Sequence, residues 1–345
     1  MGIKRYLLKV LNSQLKRYNY EIIQSHLLYE WQQHPQTEPT FNDQSQLPDQ
    51  AKSYLQPNNP RLKELQDRYS IFDHEVTDPL VWGDAHVRTD DLLYFRGDNA
   101  YVWQLRGPNM NEMGYALTTY YVESIDKLGL LDNLNEDDFF GNFTFSVNNR
   151  LVSRDLLDSI IEIYFLERHL NLSSLQHPTV LDIGAGYGRL AHRMVCALPN
   201  IAEYICTDAF AISTFISEYY IRFRNLEDRV KVIPLDEVEK IMQERTVKIA
   251  VNIHSFSECR ISAIVWWLSI LTKYSVEYLM IVPNPGSHGG QLLHTNDGKD
   301  FGNIINEHGY RLIAKEPKYR DPVVQKYAIN PTYHYLFKLH RPKPE

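Results

Sequence analysis

The residues with the clearest chemical potential begin at Asp182. In VLDIGAGYGRLAHRM, residues 180–194, a β-branched apolar run ends in that acid, continues through Gly184, Ala185 and Gly186, and opens a helix by about Gly188. Glycines here permit a tight turn and leave no Cβ against a ligand, while a helix N-terminus offers backbone N–H groups. Such a turn suits either a phosphate or an amino acid moiety. A dinucleotide fingerprint requires G-x-G-x-x-G; here the glycines fall as G-x-G-x-G and Arg189 stands in the third place. Asp182 would repel a pyrophosphate but can accept hydrogen bonds from a cationic amino group or from water around a methionine moiety. The charge therefore predicts S-adenosylmethionine (SAM) as cofactor. EYICTD ends in Asp208, which is placed to accept both ribose hydroxyls of an adenosine. A nicotinamide cofactor would use the same acid, so the argument against an oxidoreductase rests on Arg189.

Further candidates follow in chain order. Leu235 and Asp236 of Pro234-Leu-Asp would lie near the adenine, with an N-cap role for Asp236 equally open. Asn252-Ile-His254-Ser-Phe-Ser-Glu258 closes another apolar run. His254 is the candidate general base, because methyl transfer from a sulfonium mainly requires an aligned acceptor and removal of its proton. Glu258 would orient His254 or serve as first-turn helix charge. Asn252 is assigned to the cofactor side. VPNPGSHGG brings Asn284 and an alternative base, His288, to the acceptor side. Arg154, next to Asp155, is a candidate partner for the SAM carboxylate. His254, Glu258 and His288 are metal-ligand types, but their spacing demands no ion and none is assigned. Trp82, Tyr94, Tyr101, Trp103 and Tyr115 would form core or border the acceptor.

These residues need a frame. From 179 onward apolar runs alternate with helical segments, which predicts a parallel sheet covered on both faces. YRLIAKEP and TYHYLFKLHR then follow with no helix expected between them, giving an antiparallel end. This is an α/β, doubly wound, Rossmann-like layout of seven strands, as in class I methyltransferases. Ser153 should cap a helix running to about 170. An N-terminal α+β cap is expected before it: LLYFR and AYVWQLR as strands around Gly97-Asp98-Asn99, a helix near 114–129, and FTFSV turning at Asn148-Asn149. The division is 1–60 as N-terminal helix and linker, 61–153 as cap, and 154–345 as the methyltransferase domain.

Composition narrows the class. With 36 Lys+Arg against 43 Asp+Glu the net charge is −7, which argues against a nucleic-acid partner. Three cysteines without C-x-x-C spacing suggest neither a disulfide framework nor zinc, and fit a cytoplasmic location. Residues 1–20 hold five basic side chains and no acid; a surface helix packed on its own domain is favoured over a membrane-surface contact. Residues 32–60, rich in Gln, Pro, Asn and Asp, should be poorly ordered.

SRDLLDSIIEIYFLERHL, VLDIGAGYGRLAHRM, CTDAFAISTFISEYYIRFR, VNIHSFSEC, YLMIVPN and HYLFKLHR together resemble a bacterial family of proposed sugar O-methyltransferases, over roughly residues 90–340. The resemblance implies SAM-dependent methylation of a saccharide hydroxyl, in polysaccharide or glycoconjugate synthesis, with Asp182, Gly184, Gly186 and Asp208 carried over most directly. Other readings kept open are a non-sugar small molecule, a protein side chain, and a SAM-binding protein without turnover. Oligomeric state is left open.

Overall fold

The computed structural model describes residues 3–18, 20, 22, 45–81, 89–97 and 109–340. Its frame is a seven-stranded sheet. After a small hairpin, β1 (Phe145–Val147) and β2 (Arg150–Val152), the sheet strands are β3 (Thr179–Ile183), β4 (Glu203–Thr207), β5 (Val230–Val232), β6 (Ile249–Ile253), β7 (Tyr278–Val282), β8 (Tyr310–Pro317) and β9 (Tyr333–Leu339). They lie in the order β5-β4-β3-β6-β7-β9-β8, with β9 antiparallel to both neighbours and the other pairings parallel. This is the expected α/β sheet. The order reverses at β3, so the carboxyl ends of β3, β4 and β6 open onto a common crevice.

Local sequence explains the elements that bring residues to that crevice. Ser153 accepts the Leu156 N–H and starts the Arg154–Leu170 helix, whose Leu156, Leu157, Ile160, Ile161 and Phe165 are buried. Asn148 and Asn149 both adopt positive φ and tighten the β1–β2 hairpin, as their sequence predicted.

Several expectations change. A helix, Pro322–Tyr327, lies between the last two strands: Asp321 accepts from the Val323 and Val324 N–H groups and Pro322 presets the first turn. LLYFR is not a strand; Leu92 ends a short 3-10 turn, and Phe95 and Arg96, consecutive in sequence, are both fully buried, which the alternation of a half-buried strand does not allow. AYVWQLR, Trp82, Tyr101 and Trp103 lie outside the described residues. Residues 45–60 are packed: Ala51 and Leu55 are buried, and Asn59 with Pro60 caps the Pro60–Ser70 helix. Their polar composition supplies turns and caps, which accounts for the misleading impression of low order. The Ile3–Leu15 helix forms, with Leu7, Val10 and Leu11 exposed. No described helix is long and apolar enough to cross a membrane.

One hydrophobic core runs from Ala51 through the hairpin to Phe337. The described residues between 45 and 153 share that core with the sheet, and buried charge also fastens them to it. Arg96, with no exposed surface, pairs with Glu136 at 2.7 Å and Asp137 at 2.6 Å. Arg193 on the helix after β3 takes the same Glu136 at 2.7 Å, and Arg224 takes Asp137 at 2.6 Å.

Candidate functional site

A cavity of about 430 Å³ opens at the carboxyl ends of β3, β4 and β6. One end is formed by the glycine turn and the two acids. Gly184 has φ +74°, and a Cβ there would stand 2.3 Å from the Cβ of Ser255, so only glycine lets the β3 turn pass beneath the tip of β6. Gly186 has φ +56° with no atom within 4 Å of an added Cβ; its bare face adjoins open space in the cavity wall.

The backbone of this turn is already occupied. Gly184 and Ala185 donate to the Thr207 carbonyl at 2.9 and 3.1 Å, Gly186 donates to Asp208 Oδ2 at 3.0 Å, and Gly188 donates to Ala185 at 3.0 Å. N–H groups that sequence reasoning offered to a ligand are instead used internally: three tie the β3 turn to the end of β4, and that of Gly188 closes the turn on itself. A phosphate would have to displace them, which adds to the argument from charge against a dinucleotide.

Both acids are electrostatically poised. Asp182 is buried, accepts from Tyr204 Oη at 2.8 Å, and is pushed up to about 7 by desolvation. Asp208 is raised by burial to about 6, although the Phe210 and Gly186 N–H groups pull it back down. Each carboxylate costs energy to ionise, and a ligand bringing a positive charge or hydroxyl donors offsets that cost.

At the other end His254 ends the β6 turn with φ +69° and ψ −32°, an uncommon conformation for a residue with a Cβ, held by its N–H bond to Val282 at 2.7 Å. Its buried Nδ1 has no protein hydrogen-bond partner. Burial, and next the Arg154 charge, drop the imidazole to about 3, so it is neutral at pH 7 but weakly basic. Glu258 lines the same cavity and accepts from Asn284 Nδ2 at 2.9 Å. Arg154 reaches the cavity while its Nε lies 3.3 Å from Asp158. Asp158 also takes the buried Lys318 Nζ at 2.5 Å, so two cations share one carboxylate behind His254.

Of the sequence candidates, the cavity brings together Arg154, Asp182, Gly184, Ala185, Gly186, Asp208, His254, Glu258 and Asn284. Asn252, Leu235, Asp236, His288 and Asp155 lie outside its lining. Asn252 bridges strand tips, donating to Ile183 at 2.9 Å and accepting from Phe256 at 2.8 Å. Leu235 is buried beneath its own turn. Asp236 caps no helix; it is held by Arg68, whose Nε and Nη2 reach it at 3.0 and 2.8 Å. Arg68 stands 168 positions away, beyond what local sequence signals report. His288 is outside the cavity lining, against His294 with ring centroids 5.6 Å apart. Asp155 turns to the Tyr187 hydroxyl. Sequence reasoning missed Pro79, Met110, Asn296 and Asn330 in the lining; none carries a local motif, and only folding brings them there. Among the described residues no group of three His, Cys, Asp or Glu is placed to hold a metal ion.

No protein-family model matches the sequence, and no curated protein matches it. Solved structures with a similar fold include a SAM-dependent methyltransferase from Aquifex aeolicus, 16% identical over 53% of this chain and 98% of that one, with TM-score 0.39. A proposed tRNA (m1A22) methyltransferase from Streptococcus pneumoniae is 12% identical over 53% and 72%, with TM-score 0.35. A proposed RNA methyltransferase from Pyrococcus horikoshii is 16% identical over 54% and 87%, with TM-score 0.36. These values are low, and the functional reading rests on the geometry above. They nonetheless correct the exclusion of nucleic acid: two of the three are described as acting on RNA, and a net charge summed over a molecule does not describe any one patch of its surface.

Proposed function

We propose that the chain is a SAM-dependent O-methyltransferase whose acceptor is a hydroxyl of a saccharide or glycoconjugate. The observation carrying the first half is the pair of strand-end acids, Asp182 and Asp208, on one cavity wall with a glycine turn whose N–H groups are internally bonded. That arrangement fits a cationic amino acid joined to a ribose better than a pyrophosphate. Asp208 would hold the ribose hydroxyls, Asp182 the ammonium or its water, and Arg154 the carboxylate. SAM supplies an electrophilic methyl on a sulfonium with a good leaving group.

The remaining chemistry belongs to the chain. His254, neutral and lining the cavity, would accept the hydrogen bond of the acceptor hydroxyl and take its proton as the methyl bond forms. An imidazole held this low aligns well but drives proton removal weakly, so positioning contributes more than base strength. Asn284, Asn296 and Asn330 on the cavity wall offer neutral donors and acceptors, which suits a polyhydroxylated acceptor and supports the sugar reading implied by the resemblance.

Incubation with SAM and a panel of sugars, nucleotide sugars, small phenols and RNA, followed by mass spectrometry, tests the acceptor. A methyl added to a sugar hydroxyl is expected; methylation confined to RNA or to phenols would refute the saccharide assignment.

A further inference from the structure

Residues 60–80 cross three loops at the carboxyl edge of the sheet. Arg61 pairs with Glu218 at 2.6 Å on the helix after β4, and Arg68 takes both Asp236 and Glu237 after β5. The far end is tied at Leu80, whose N–H donates to the Glu258 carbonyl at 2.7 Å, and the preceding Pro79 contributes to the cavity wall. Between these anchors Tyr69, only 7% exposed, places one hydroxyl among three groups. It lies 3.0 Å from the carbonyl of Asp208, accepts the Leu235 N–H at 3.0 Å, and stands 2.8 Å from Thr214 Oγ1.

We infer that Tyr69 is a positioning residue for the adenosyl part of the cofactor, supplied by a segment outside the sheet. The inference rests on the SAM reading of the cavity. Asp208 can present its carboxylate to a ribose only if the loop after β4 stays in register with the loop after β5. Gly186 and Phe210 orient the side chain of Asp208, while Tyr69 fixes its carbonyl and joins it to Leu235. The hydroxyl bridges the loops without lining the cavity, so it acts through Asp208 and not on the ligand. Its buried donor and acceptor bonds are fully used, and deleting the oxygen strands the Leu235 N–H.

Tyr69→Phe in the full chain keeps the ring and removes the bridge. The readouts are the affinities for S-adenosylhomocysteine, adenosine and methionine, with the melting temperature as control. Affinity for the two adenosine-containing ligands is expected to fall at least fivefold while methionine binding changes less than twofold. Thr214→Val, which removes the neighbouring hydroxyl, should weaken the same two ligands, and the double variant should lose less than the two single losses combined. Equal weakening of all three ligands, or unchanged affinity for S-adenosylhomocysteine, would overturn the inference. If the unmodified chain binds none of them, the cofactor reading itself is wrong, an outcome distinct from failure of Tyr69→Phe.

Discussion

At the scale of single residues, the two acids set a pH dependence. Asp182 titrates near 7 and Asp208 near 6, both above the ordinary carboxylate value because burial penalises their charge. A ligand with an ammonium and ribose hydroxyls prefers the ionised forms, so SAM affinity should rise from pH 5.5 to 8 with proton release on binding. Titration calorimetry in buffers of different ionisation enthalpy measures that release; a flat profile would contradict the assignment. The same shift has the opposite sign for folding. A carboxyl whose folded value is raised stabilises the fold below its unfolded value, and that contribution is lost as pH rises through 7. Asp182→Asn should therefore stabilise the ligand-free protein by about 1–3 kcal/mol at pH 8 and by little at pH 4, while weakening SAM binding at least tenfold. Thermal melts at the two pH values check this.

The paired elements around the β3 turn separate fold from ligand. A Cβ at Gly184 meets Ser255 at 2.3 Å, so Gly184→Ala should cost roughly 2–4 kcal/mol by strain and collision. Gly186→Ala meets open space and should cost roughly 1 kcal/mol through its positive φ, yet impair SAM binding by filling the cavity wall. Denaturant melts beside binding titrations distinguish the two. These elements were largely legible in the sequence, because β-branched runs, the D-x-G-x-G-x-G turn and Ser153 are local signals that the core does not override. The short helix at Pro322 was legible too, in Asp321-Pro322, but was lost between two strong strands. Tyr69, Pro79 and Asn330 were not readable, since each reaches the site by long-range folding.

For the molecule as a whole, the segment before the sheet is held by ionic as well as apolar contacts. Arg96 has no exposed surface and neutralises Glu136 and Asp137, with Arg193 and Arg224 sharing those acids. Removing one member of such a cluster strands the others, so Arg96→Met should destabilise the protein by about 3–5 kcal/mol in urea melts. The buried charge cluster was not legible in the sequence, because charge in a sequence reads as surface. Net charge misled in the same way about partners, being a sum and not a distribution.

The central claim is a SAM seat at Asp182 and Asp208, and titration of the protein with SAM, S-adenosylhomocysteine and NAD, repeated on Asp208→Ala, tests it most directly. Binding of both adenosyl compounds in preference to NAD, weakened at least tenfold in the variant, is the expected result. Binding of NAD in preference, or of neither adenosyl compound, would contradict it.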